Sequence, residues 1–279
     1  MLNKIFKVLA VLILFSLLSC NSLLKSLSDS LYRQNDLKLV EDGAPSYLLL
    51  IEAFIESKPN DKSMLSTGIQ LFSAYSQAFV KDPARQKIFT DKTKRWAMSL
   101  LRTYPRFKEL ENKEFDEYTK WLLSVSKRDI PYIFWATNAW FVWIIGNLDS
   151  IDAFIELPKA KAIMDRIKEL DDTYYYGAPH LFYGMYYSVM PESIGGGADK
   201  AKAEFDIALK LSGDKFLMTK VSYAQLYLKL KNDKNGFIKT LNEVIKADLD
   251  KYPEMRLLNS FSKNQAAELL KKTNEIFIY

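Results

Sequence analysis

The sequence predicts an all-α fold: helical hairpins stacked side by side into an α-α superhelix and closed by a C-terminal helix. Three observations predict it. Apolar residues recur at three- and four-residue spacing along most of the chain, the period of one helix face, and strand-like alternation is scarce. Glycine and proline are sparse, 10 and 9 of 279 residues, too few for a turn-rich all-β chain. With 48% hydrophobic and 26% charged residues the chain can bury a large core, which excludes a disordered protein.

The elements begin with a leader. Residues 1–19 carry Lys4 and Lys7, an apolar run from Val8 to Leu18 broken only by Ser16, and then Ser19-Cys20. The run is shorter than the roughly 20 apolar residues of a membrane span, so it reads as a cleaved signal peptide. The only cysteine of the chain sits at the cleavage position. The segment resembles a bacterial lipoprotein signal, which implies acylation of Cys20, a palmitate-type anchor, and a new N-terminus there. Residues 20–42 then serve as the lipidated N-terminus and tether, and 43–279 as the helical repeat domain. Losing two lysines with the leader lowers the net charge from +5 to +3, too little to argue for nucleic acid. The expected location is the periplasm, on the inner or the outer membrane.

Within 43–279 the helices follow one another. Leu65, Ile69, Phe72 and Phe79 mark one; Thr93, Ala97, Leu100 and Leu101 mark the next, ended by Tyr104-Pro105. Ile130–Leu148 is uncharged, long enough for a span, but Pro131 and Asn138 interrupt it and Trp135 and Trp140 lie mid-segment. Asp129 followed by Ile130-Pro131 reads as a helix start, so this is a buried core helix. Asp152–Leu170 gives another, with Ala160, Ile163 and Ile167 in register. Ala201, Phe205 and Ala208 form a stripe; Leu217, Val221, Ala224 and Leu228 follow, then Ile238, Leu241 and Ile245, then Ala266, Leu269, Thr273 and Ile276. Short polar breaks such as Ser212-Gly213-Asp214 make neighbours antiparallel.

Gly184, Tyr187, Ala201, Phe205 and Ala208 fall in the small–aromatic–small–aromatic–small order of a tetratricopeptide repeat, with Pro191–Gly197 as extra residues in the middle. Ala224, Tyr227, Phe237, Leu241 and Val244 repeat the theme about 40 residues later. Small residues let two helices approach, and the aromatics fill the groove beside them. No such pair buries its apolar face alone, so the pairs stack.

The chemistry the chain can carry is narrow. One histidine and one cysteine leave no set of ligands for the usual zinc or iron sites. Neither a metal nor a cofactor is expected. The pairs Glu109/Glu111 and Asp171/Asp172 lie in charged stretches and receive no catalytic role. The chain therefore reads as a non-enzyme.

The stretch Tyr174–Leu211, with Gly177, Gly184, Pro191, the Gly195-Gly196-Gly197 run and Lys200-Ala201 leading into Phe205 and Ala208, carries a family resemblance. Together with the lipoprotein signal and the Ile276-Phe277-Ile278-Tyr279 end, it resembles the TRAP transporter T-component (TatT) family, tetratricopeptide-repeat periplasmic lipoproteins. The resemblance implies a homotrimer whose protomers hold apolar channels. It also implies docking of the periplasmic solute-binding protein of a tripartite ATP-independent uptake system, and a hydrophobic small molecule as ligand. A different reading keeps the repeats as a scaffold lipoprotein in envelope or outer-membrane assembly.

Two segments exceed the single apolar stripe of a solvent-facing helix. Tyr132–Trp143 holds six aromatics and Tyr174–Tyr187 seven. The first reads as core, with Trp135 as its candidate for a channel wall. In the second, buried phenols need partners, which suits the wall of a partly wet passage. Tyr183, Tyr186 and Tyr187 are therefore candidate channel-lining residues, with His180 near the rim. As the lone histidine without a second ligand, His180 also reads as a hydrogen-bonded structural residue. Gly195, Gly196 and Gly197 lack the Lys-Ser/Thr ending of a P-loop and read as a tight loop at a channel mouth or subunit contact, with an anionic head group as the sharper alternative.

Overall fold

A computed structural model describes residues 30–110 and 115–277. Cys20, the leader 1–19, the first part of the tether, and Ile278-Tyr279 lie outside the described residues. The described chain is all-α. Its elements are α1 (Leu37–Ser57), α2 (Lys62–Phe79), α3 (Pro83–Arg102), the short α4 (Phe107–Leu110), α5 (Phe115–Leu122), α6 (Ile130–Ile145), α7 (Ile151–Leu170), α8 (Tyr174–Val189), α9 (Ala198–Ser212), α10 (Met218–Ser222), α11 (Lys234–Lys246), α12 (Arg256–Lys271) and α13 (Thr273–Ile276). The chain divides into two compact units, one of residues 41–212 and one formed by the segment up to Val40 with residues 213–279.

In the larger unit the starts are set by caps. Asp61 and Asp82 accept hydrogen bonds from the first backbone N–H groups of α2 and α3. Ser126 and Asp129 form a capping box just before α6, and Pro131 takes the first turn. α2 packs on α3, and both pack on α6; α6 packs on α7. The predicted stripes are the buried ones: Leu65, Ile69 and Phe72 on α2, Ala97, Leu100 and Leu101 on α3, and Ala160, Ile163 and Ile167 on α7.

α6 is the central helix of this unit. Ile130, Ile133, Phe134, Ala136, Trp140 and Ile144 are all buried, so it is apolar nearly all round, as the uncharged sequence predicts. Each large side chain removed from water there contributes about 1.5–3 kcal/mol. On this helix the Thr137 hydroxyl donates to the Ile133 carbonyl at 2.6 Å, and the Trp143 indole N–H donates to Asp91 at 2.8 Å. Among the described residues, no helix is long and apolar enough to cross a membrane.

The α8–α9 pair is the most extensive helix contact of the larger unit. Gly184 lies directly against Phe205: a Cβ there would stand 2.8 Å from the ring. A small residue is needed at that crossing.

The smaller unit packs α10, α11 and α12 against one another. α10 runs into a wider π-helical turn over Tyr223–Leu228. Buried Asn259 on α12 accepts from the Leu217 N–H at 3.1 Å and donates to the Lys215 carbonyl at 3.1 Å, tying the start of α10 to α12. Phe277 is buried edge-on against Phe237 of α11, ring centres 5.1 Å apart. The sequence reads one closing helix through Ala266, Leu269, Thr273 and Ile276; the chain instead breaks at Lys272 into α12 and α13.

Candidate functional site

The aromatic-rich α8 is where most of the sequence-predicted site residues meet. The aromatic-rich segment Tyr174–Tyr187 reads as a helix from its sequence, but its first turn is of opposite hand. Tyr175 (φ 44°, ψ 57°), Tyr176 (φ 62°, ψ 34°) and Gly177 (φ 79°, ψ 27°) are left-handed. For a non-glycine residue that conformation costs roughly 1–2 kcal/mol, so two tyrosines there mark stored strain. The right-handed helix restarts beyond Gly177 with Pro179 in its first turn. Gly177 followed closely by Pro179 is the sequence signal for this break, and the aromatic count hides it.

The strained turn delivers rings to α6. Tyr174 meets Phe134 edge-on at 5.2 Å, and Tyr175 meets Trp135 edge-on at 5.2 Å. Trp135, Tyr174 and Tyr175 then form one wall of a cavity of about 350 Å³ whose other wall is α2. None of Tyr183, Tyr186 and Tyr187 lines it, so the sequence-predicted set does not converge on one cavity.

Further along α8, the tyrosines form a ring cluster. Tyr183 and Tyr187 stack at 5.5 Å, Tyr186 stands edge-on to Tyr187 at 5.4 Å, and Phe141 of α6 closes on Tyr186 at 5.7 Å. Tyr183 and Tyr186 are buried and Tyr187 half-buried. The Tyr183 hydroxyl donates to the Asp165 carboxylate, and the Lys161 and Lys168 ammonium groups lie 5.3 and 5.1 Å from the ring centre. Burial first, then the Asp165 hydrogen bond and charge, push the Tyr183 phenol far above its ordinary range. Burial also raises Tyr186 and Tyr187.

His180 is 3% exposed. Its Nδ1 lies 2.6 Å from Glu204 Oε2 of α9, and its Nε2 lies 3.5 Å from Asp172. Glu204 is also paired with Lys168. The histidine thus sits in a charged cluster spanning the end of α7 and the α8–α9 pair. Sequence reasoning missed Glu204, Asp165 and Lys168, because each acquires its role only when α7 and α9 are laid against α8.

The glycine run forms a tight loop. The N–H groups of Gly195, Gly196 and Gly197 donate to the carbonyls of Glu192, Pro191 and Tyr187 at 3.1, 3.0 and 3.0 Å. A Cβ at Gly196 would stand 1.7 Å from the Met190 carbonyl oxygen, so only glycine closes this turn. Because those donors are already bonded, the loop does not hold them out to an anion, which disfavours the head-group alternative on this geometry.

A second cavity, about 300 Å³, lies among α3, α5, α6 and α7 and has Asp152 and Glu156 on its wall. Glu156 is bonded to the Trp140 indole N–H and paired with Lys94 at 3.1 Å. Among the described residues no group of three or more His, Cys, Asp or Glu could hold a metal ion.

The described residues thus form an all-α chain whose α8 sets a cluster of aromatic rings against α6. Residues 33–277 match the TRAP transporter T-component family, and the chain belongs to that family. It is also 24% identical over 270 residues to an uncharacterized protein of Treponema pallidum (strain Nichols), covering 88% of this chain and 81% of that one.

Proposed function

We propose that this protein is a lipid-anchored periplasmic component of a TRAP-type uptake system. It docks the system's solute-binding protein and binds or passes a hydrophobic ligand along an aromatic-lined channel. In this reading Cys20 carries the acyl anchor, 43–279 acts as one tetratricopeptide-like repeat domain, and the protein works as a homotrimer. Tyr183, Tyr186, Tyr187 and Trp135 contribute the channel wall with His180 at its rim. The Gly195–Gly197 loop stands at the channel mouth or a subunit contact.

The observation that carries the reading is the family match over 33–277. Support also comes from the ring cluster of α8 and from exposed apolar side chains beside it, Met185, Val189 and Ile194. The repeat reading draws support from the tight α8–α9 pair, where Gly184 meets Phe205 as small and aromatic repeat positions do. A non-catalytic role accords with the family.

Native mass spectrometry of detergent-free protein beginning after Cys20 tests the reading. The expected result is a trimer that retains an apolar small molecule. A monomer free of any bound molecule would favour the envelope-scaffold alternative.

A further inference from the structure

The cavity between α2 and α6 has a chemistry of its own. On α2, Ser63, Ser66, Thr67 and Gln70 line it, and their spacing of three, four and seven residues places them on one helix face. Opposite stand Trp135 and the rings of Tyr174 and Tyr175, with Pro131 and Tyr132 at the side. No charged side chain is among the described residues that line it. One wall is thus a row of hydroxyl and carboxamide groups, and the other is a set of ring surfaces.

The polar row is ordered. Ser66 is buried, 5% exposed, and its hydroxyl accepts from Gln70 Nε2 at 3.1 Å. A second bond, from Gln70 Nε2 to the Ser66 carbonyl at 3.3 Å, fixes the amide plane. The carboxamide oxygen of Gln70 and the hydroxyls of Ser63 and Thr67 remain for a ligand. Opposite, the left-handed pair Tyr175–Tyr176 holds the Tyr175 ring against Trp135. Strain of this kind is retained where the placement of a side chain matters.

We propose that this cavity is a binding site for a neutral sugar. Hydroxyl and amide groups act as donor and acceptor at once, as sugar hydroxyls do, so a row of them matches a polyol edge. The rings opposite suit the apolar C–H face of a pyranose. A phosphate or carboxylate ligand would demand a cationic side chain, and an amine ligand an anionic one; the described lining has neither. A fatty chain laid against the hydroxyl row would displace its water without replacing those bonds. The volume of about 350 Å³ falls at the small end of ligand pockets, the size of one or two sugar rings rather than a long oligosaccharide. The site shares Trp135 with the proposed channel wall but lies apart from Tyr183, Tyr186 and Tyr187, and its assignment does not depend on a passage along them.

Ligand-observed NMR and calorimetric titration of the whole chain from residue 21, with glucose and maltose as probes, test the assignment. Uridine, a hexose phosphate and palmitate are the counter-probes. The expected result is saturable binding of one of the sugars with a dissociation constant on the order of 1 mM or tighter. The double variant Thr67→Val/Gln70→Ala should weaken it by about tenfold with unchanged circular dichroism. Should that variant fail to fold, Ser63→Ala, on the exposed rim of the same row, should weaken it by a few-fold. Absence of saturable sugar binding, binding unmoved by folded variants of the row, or a clear preference for any counter-probe would each overturn the assignment.

Discussion

At the scale of single residues, Tyr183 shows how a partner decides what an aromatic run means. The sequence argument that buried phenols need partners is sound, but it names water, whereas the structure supplies Asp165. The residue types of the site are therefore legible, and their bonding is not, because Asp165 lies on a different helix. Tyr183 keeps its proton in the folded chain at a pH where an unfolded tyrosine, with a pKa near 10, ionises. Its contribution to stability is present below about pH 10 and lost as pH rises beyond it. Tyr183→Phe should flatten that alkaline loss, and at neutral pH cost about 1.5–3 kcal/mol for the lost bond to a carboxylate, read by urea unfolding across pH. Gly184 makes a second test. Helix propensity alone would favour alanine by about 1 kcal/mol. The Phe205 ring is fully buried and meets the new methyl at 2.8 Å, so overpacking wins. Gly184→Ala should destabilise by roughly 1–2 kcal/mol in the same assay, and a gain in stability would contradict the close crossing.

At the scale of elements, stripes of apolar residues located the helices well. Leu65/Ile69/Phe72 and Ala160/Ile163/Ile167 are buried as their spacing requires, since burial of one face is a local property of the sequence. Two kinds of feature stay hidden. The left-handed Tyr175–Gly177 turn and the break at Lys272 are backbone choices that apolar spacing does not record. The hydroxyl row of α2 is visible as Ser63, Ser66, Thr67 and Gln70, yet it gains meaning only once the rings of α6 and α8 face it. Between elements, Lys127 before α6 holds Asp171 at the end of α7, 2.9 Å apart. The hydrogen bond from Lys127, then that from Thr173, keep the Asp171 carboxyl below its usual value. Its stabilising share is present above the unfolded carboxylate value of about 3.9 and is lost on further acidification. Asp171→Asn should therefore lower stability at neutral pH, and the gap between the two proteins should close in acid below that value. A gap that persists unchanged in strong acid would show that the pair does not set it.

At the scale of the molecule, composition and periodicity give the all-α class, and the family match over 33–277 gives the biological setting. The surfaces proposed for binding are brought together from distant segments, such as α2 with α6, or α7 with α8 and α9, and no single stretch of sequence displays them. The central claim is that this chain serves an uptake system by engaging its solute-binding protein. The most direct measurement is an equilibrium titration, by sedimentation or surface plasmon resonance, of this protein beginning after Cys20 with a TRAP-type periplasmic solute-binding protein of the same organism. The account predicts saturable binding at about micromolar or tighter concentration, undiminished when an unrelated periplasmic protein is added. No association at any soluble concentration, with both partners folded, would contradict it.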